Sequence, residues 1–311
     1  MKATALVIGL LFAGCGEGEP EPRDIERPDR PAGEYGHWAG DDPDRWPRIA
    51  MVNRIRYTDS NHPMAGSSFL LESGEEIVAV TAKHVLRYFK SESMDTVAFG
   101  GTLERWEMFP KDEPSDVTVV SALINEDANE SLERIQPTED WLLFTVERAS
   151  ASVTALRLRR TPLKAGETVF VVGWRYTDEG RQRVYKGKYV RPEKGSVLID
   201  AKELADNTVP GLSGSPVIDA EGYVVGVMSS KFGKLQRLAP IDYARRVLEQ
   251  QPSRRPHGGV RNPTGREAKT APLGTLAATS ATSTGEFGAS VNLPFEPISN
   301  TEMRRVPAPI S

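Results

Sequence analysis

The chain has 311 residues, 39% of them hydrophobic, which is enough to bury a sizeable core and excludes disorder throughout. Its 39 Lys and Arg nearly balance 43 Asp and Glu, for a net charge of −4, so no global basic field exists to hold nucleic acid by counterion release. A single cysteine, Cys15, rules out an intrachain disulfide and a multi-cysteine zinc site, while 27 Gly and 23 Pro point to turn-rich or unstructured stretches.

The first of those stretches is the amino terminus. Met1-Lys2 is a short basic start, Ala3 to Gly14 is uncharged and apolar, and Gly16-Glu17-Gly18-Glu19 turns abruptly acidic. The apolar run is too short to cross about 30 Å of hydrocarbon as a helix, so residues 1–14 read as a signal peptide. Leu11-Phe12-Ala13-Gly14-Cys15 resembles the lipobox of bacterial lipoproteins, although Phe12 departs from the usual aliphatic residue. That resemblance implies a lipid anchor on Cys15, and Gly16 after it suggests delivery to the outer membrane in a Gram-negative cell. An ordinary secretory signal with an incidental cysteine is the alternative; both place the mature chain outside the cytoplasm.

Residues 15–45 carry many acids and prolines and few large aliphatic side chains, so they are expected to form a flexible tether. Residues 251–311 are rich in Pro, Gly, Thr, Ser and Ala and read as a disordered tail. One compact domain of 46–250 remains.

In chain order its apolar segments are short and alternating: Ala50 to Tyr57, Ser68 to Glu72, Glu76 to Thr81, Asp116 to Ser121, Trp141 to Val146, Glu167 to Val172, Arg183 to Val190, Ser196 to Asp200 and Tyr223 to Met228. β-Branched and aromatic runs of this length between Gly, Pro, Asp and Ser turns predict antiparallel strands. Only Lys83 to Lys90 and Asp242 to Gln251 predict helix. Many strands without intervening helices favour an all-β barrel or sandwich.

Three segments carry chemistry. In Pro210-Gly-Leu-Ser213-Gly-Ser-Pro-Val217 the glycines suit a tight loop whose Gly211 and Ser213 amides point at one developing oxyanion. An α/β-hydrolase elbow does not fit, because Ser215 stands where it needs glycine and a strand follows; a plain hairpin turn is the bland alternative. Val78-Ala-Val-Thr-Ala-Lys-His84 delivers a histidine from the end of a strand. His37, His62 and His257 sit in polar linker, turn or tail contexts, so His84 has no strong competitor as a general base. For a carboxylate, Asp140 precedes the fully apolar Trp141-Leu-Leu-Phe144, whereas Asp116 precedes Val117-Thr-Val-Val120; Asp140 is preferred, and Asp116 stays open.

The order His84, Asp140, Ser213, with Thr81-Ala-Lys-His84, Asp140-Trp-Leu-Leu143 and Gly211-Leu-Ser-Gly-Ser-Pro-Val217, resembles the trypsin/chymotrypsin-like serine proteases over about Ala50 to Leu248. The resemblance implies two six-stranded antiparallel β-barrels with a C-terminal helix and a catalytic triad in the cleft between them. It also implies a polypeptide substrate, an oxyanion hole from Gly211 and Ser213, and no cofactor or metal. Ser229 matches a family serine that supports the aspartate and lines the specificity pocket. Thr208 and Lys231 would complete that pocket and favour an acidic substrate residue. Asn207 stands where trypsin has its pocket aspartate, so a preference for Arg or Lys is not expected.

Leu212 replaces the aspartate that captures a freed N-terminal amine in animal digestive enzymes. Together with the missing disulfides, this points to bacterial branches of the high-temperature-requirement and glutamyl endopeptidase types. The polar tail cannot supply the PDZ domain of the first, and Met228-Ser-Ser-Lys231 lacks the histidine of the second. Two functions follow: an envelope-anchored serine endopeptidase, or a catalytically silent domain of the same fold that binds polypeptides.

Overall fold

The computed structural model describes residues 37–205 and 210–251. The expected signal peptide, Cys15, most of the tether, the tail, Asn207 and Thr208 lie outside them. The strands are β1 (Met51–Tyr57), β2 (Asn61–His62), β3 (Ser67–Ser73), β4 (Glu76–Thr81), β5 (Thr96–Val97), β6 (Leu103–Phe109), β7 (Thr118–Leu123), β8 (Asp127–Ser131) and β9 (Leu142–Arg148), with helix α1 (Val85–Tyr88) after β4. Then come β10 (Thr168–Gly173), β11 (Arg183–Glu193), β12 (Ser196–Asp200), β13 (Pro216–Asp219), β14 (Val224–Phe232), β15 (Leu235–Pro240) and the closing helix α2 (Ile241–Gln250).

These strands build two closed antiparallel barrels, as the family resemblance implied. The first runs β1-β3-β4-β9-β7-β6 and closes through β6 on β1, with β2 as an extra hairpin strand. The second runs β10-β11-β12-β15-β14-β13 and closes through β13 on β10. Within each barrel the spatial order is the same: first, second, third, sixth, fifth and fourth of its own strands. Closure pairs both sides of the six strands that form each barrel.

Alternation along the strands fills the interiors. Trp106, Phe144, Ile55 and Leu70 share one buried face in the first barrel, with the Trp106 and Phe144 ring centroids 4.7 Å apart. Val169, Val171, Tyr185, Ile199, Val217 and Leu238 fill the second, and Leu212 is buried among them. On β10 the alternate residues Phe170 and Val172 turn the other way and pack with the first barrel's cluster.

Between the barrels the linker is stitched to both. Leu156 exchanges backbone hydrogen bonds with the β3 segment, while Val224 on β14 bonds Arg157 and Arg159. Helix α2 follows the second barrel but reaches back to the first, burying Ala244. Its Tyr243 hydroxyl accepts from Asn125 Nδ2 at 3.1 Å and from Lys83 Nζ at 3.4 Å.

Ahead of the first barrel, His37–Gly40 and Pro43–Arg45 form 3-10 turns, and Trp46 packs edge-on against Phe170 at 5.1 Å and Trp38 at 5.2 Å. Three sequence expectations are corrected. The helix expected over 83–90 is the single turn α1, preceded by tight turns whose amides reach back three residues. The strand expected from Asp116 starts at Thr118. Three barrel strands, β6, β13 and β15, were not anticipated: charges interrupt Leu103-Glu-Arg-Trp-Glu-Met-Phe, and on β15 Gln236 points inward beside Leu238, fully buried with its carbonyl on the Ala201 amide at 2.8 Å.

Candidate active site

Three loop ends meet between the barrels. His84 leaves β4 at the start of α1, Asp140 sits two residues ahead of β9, and Ser213 lies in the turn ahead of β13. His84 Nδ1 is 2.6 Å from Asp140 Oδ2, and His84 Nε2 is 2.8 Å from Ser213 Oγ. The neutral imidazole that fits both contacts carries its proton on Nδ1, donates it to the carboxylate and accepts from the serine hydroxyl. Asp140 also accepts from the His84 backbone amide at 2.7 Å and from Ser229 Oγ at 2.5 Å. The Asp140 side chain is 2% exposed and that of His84 is 16% exposed, so the pair is sheltered while the imidazole keeps an open edge.

The acid is held from behind. Asn125 donates to the Trp141 carbonyl at 2.7 Å and accepts from the Leu143 amide at 2.9 Å, and the Trp141 indole donates to the Pro240 carbonyl at 2.8 Å. Next to the base, the fully buried Lys83 side chain donates to both Glu130 carboxylate oxygens, at 2.8 and 2.7 Å. An unpaired ammonium there would be costly, so Glu130 is part of what lets Lys83 precede His84.

Asp116, the alternative carboxylate, is elsewhere. It accepts from the hydroxyls of Ser150 and Ser152, both at 2.5 Å, and from the amides of Ala151 and Ser152 at 3.0 and 2.9 Å. Burial works against its charge, but these bonds outweigh burial and hold its carboxyl at about 2. It touches neither His84 nor Ser213.

The Ser213 turn is built on two glycines held at positive φ. Gly211 has φ 103° and Gly214 has φ 89°. A Cβ on Gly214 would collide with the Ser67 carbonyl and the Thr81 hydroxyl, and one on Gly211 would sit 2.7 Å from the Trp174 carbonyl. The Ser215 amide bonds the Leu212 carbonyl at 2.9 Å and the Gly214 amide bonds Met228 at 2.9 Å. Ser67 holds the turn from the first barrel: its amide donates to the Ser213 carbonyl at 2.7 Å and its hydroxyl to the Gly211 carbonyl at 2.7 Å. Among the described residues, the amides of Gly211 and Ser213 donate to no acceptor. Two such donors beside a serine hydroxyl could receive a tetrahedral oxyanion.

Of the expected pocket residues, Ser229 is buried against Asp140. Lys231, two residues along β14, donates to the Ala205 carbonyl at 2.7 Å, at the threshold of the 206–209 segment that contains Thr208. Ser67, Asn125 and Glu130 gave no sequence signal, since each acts on a segment 16 to 144 positions away. Among the described residues no cluster of His, Cys, Asp and Glu is placed to hold a metal ion, and no helix is long and apolar enough to cross a membrane.

A search of curated sequences gave no match. Similar solved structures include the serine endoprotease from Yersinia pestis, at 17% identity and TM-score 0.46, covering 68% of this chain and 65% of that one. The active form of the Rv3671c protease from M. tuberculosis is similar at 17% identity and TM-score 0.43, covering 65% and 79%. The chain thus spans about two thirds of the length of the Yersinia pestis protein. The family model of the trypsin-like peptidase domain matches residues 66–227, a span that takes in His84, Asp140 and Ser213, and the chain belongs to that family.

Proposed function

We propose that the protein is a serine endopeptidase held in the bacterial cell envelope by a lipid on Cys15. The observation that carries the enzymatic half is the continuous run of contacts from Ser229 through Asp140 and His84 to Ser213, 2.5, 2.6 and 2.8 Å in turn. In this reading Ser213 Oγ attacks a peptide carbonyl as His84 Nε2 takes its proton, and Asp140 holds the tautomer and stabilises the imidazolium. The Gly211 and Ser213 amides receive the oxyanion, each contributing on the order of 3 kcal/mol of barrier lowering. His84 then passes its proton to the leaving amine, and water, deprotonated by the same imidazole, releases the acyl group.

Specificity is assigned to Ser229, Thr208 and Lys231, with an acidic side chain as the preferred occupant. The envelope half rests on the Leu11 to Cys15 sequence. Incubating the purified protein with a peptide library and sequencing the fragments by mass spectrometry tests the activity. New termini with wild type and none with Ser213→Ala support it; no cleavage by folded wild type would favour the silent binding domain. Membrane fractionation tests the anchor, because Cys15→Ser should move the protein to the unbound fraction, and its continued membrane association would contradict lipidation.

A further inference from the structure

An oxyanion hole works only if the peptide between Pro210 and Gly211 is held with its N–H toward the nucleophile. The aspartate that secures this turn in animal digestive enzymes is replaced here by Leu212, whose side chain is buried in the second barrel and carries no charge. The lock instead begins on the first barrel, in the loop after β6. That loop is itself braced, since Arg48 pairs with Asp112 at 3.0 Å and Glu113 at 2.7 Å, and Glu113 donates its amide to the Pro110 carbonyl at 2.9 Å.

Between these anchors, Lys111 extends to the second barrel. Its ammonium donates to three carbonyls of one turn, Asp178 at 2.6 Å, Tyr176 at 2.9 Å and Arg175 at 3.4 Å. An ammonium has three N–H donors, and this turn engages all of them. Burial lowers the Lys111 pKa while the nearby Asp178 and Glu179 charges oppose that fall. From the inside the turn is closed by the Asp178 carboxylate, which accepts from the Arg175 amide at 2.8 Å and the Tyr185 hydroxyl at 2.7 Å.

What the turn presents is Tyr176. Its amide donates to the Pro210 carbonyl at 3.0 Å, and its hydroxyl accepts from the Gly66 amide at 3.3 Å. No cis peptide is present, so fixing the Pro210 carbonyl on Tyr176 sends the Gly211 N–H to the opposite side of that peptide. The next carbonyl, Gly211, is fixed by Ser67.

We propose that Lys111 is a positioning residue for the oxyanion hole: it pins the 175–178 turn, and the Tyr176 amide of that turn orients the Pro210-Gly211 peptide. The proposal rests on the peptidase reading of Ser213. It also means that the hole does not wait for a newly cut N-terminus, because the cation that secures it belongs to the interior of the chain.

The test is the reaction of the full chain with a fluorophosphonate probe, resolved into its binding constant and its rate at saturation. Lys111→Met keeps the aliphatic stem and removes the charge. Its saturating rate should fall roughly 10- to 100-fold, less than the full loss of one oxyanion donor, with probe binding and thermal midpoint little changed. Lys111→Arg should recover most of the rate. A Lys111→Met protein that reacts at the wild-type rate, or whose loss only tracks its unfolded fraction without recovery by Lys111→Arg, overturns the brace. Should Lys111→Met fail to fold, Asp178→Ala loosens the same turn with Lys111 in place; slowing of several-fold supports the brace, and the wild-type rate overturns it. Wild type that does not react at all contradicts the peptidase reading itself and the brace with it, an outcome distinct from failure of the variants alone.

Discussion

Asp116 and Asp140 belong to adjacent strands' approaches in the same barrel, each a few residues ahead of an apolar strand. Their surroundings differ in reach. All four donors to Asp116 come from residues 150–152, so that carboxylate closes a local loop. The donors to Asp140 come from His84 on the first barrel and Ser229 on the second, so it ties the two barrels together beside Ser213. A carboxylate ahead of a strand is thus an anchor of whatever faces it, and only the second of these two faces a base.

Substituting each acid breaks this contrast most sharply. Asp140→Asn should lower the acylation rate about 10⁴-fold, because the amide favours the wrong imidazole tautomer, while circular dichroism reports an unchanged fold. Ser229→Ala removes one of three hydrogen bonds to Asp140 and leaves both from His84, so a roughly tenfold loss of rate is expected, about 1.4 kcal/mol. Asp116→Asn should leave the acylation rate at the wild-type value and reduce unfolding free energy by about 1–3 kcal/mol, read from denaturant midpoints, since one amide oxygen cannot accept all four donors.

Acid separates the two carboxylates further. Because folding holds the Asp116 carboxyl at about 2, below its ordinary value, its contribution is complete above the unfolded pKa near 4 and is lost as pH falls toward 2. The stability gap between wild type and Asp116→Asn should therefore be widest near neutrality and should close over that acid interval. A gap that stays constant with pH would mean that the four hydrogen bonds do not act through the carboxylate charge.

Much of this was legible because the chemistry sits at strand ends. His84 and Ser213 are each flanked by residues whose type is dictated locally, the β-branched run into Thr81 and the glycines of the 211–214 turn. The choice of acid was harder, since what distinguishes Asp140 is a contact with a histidine 56 positions earlier. Strands β6 and β15 escaped notice for a related reason: burial in a closed barrel is decided by the whole circuit, and a side chain such as Gln236 points inward once a distant amide satisfies it. The Lys111 turn is harder still, with 65 positions separating the lysine from Tyr176 and a backbone carbonyl as its target, which leaves no residue pattern to read.

The central claim is that Asp140, His84 and Ser213 act as one catalytic unit. Fluorophosphonate labelling of the folded protein, with the adduct located by mass spectrometry, tests it most directly. One adduct on Ser213 in wild type, absent from Ser213→Ala and strongly slowed in His84→Ala and Asp140→Asn but not in Asp116→Asn, is the predicted result. Folded wild type that takes up no probe, or an adduct that forms equally fast without His84, would contradict it.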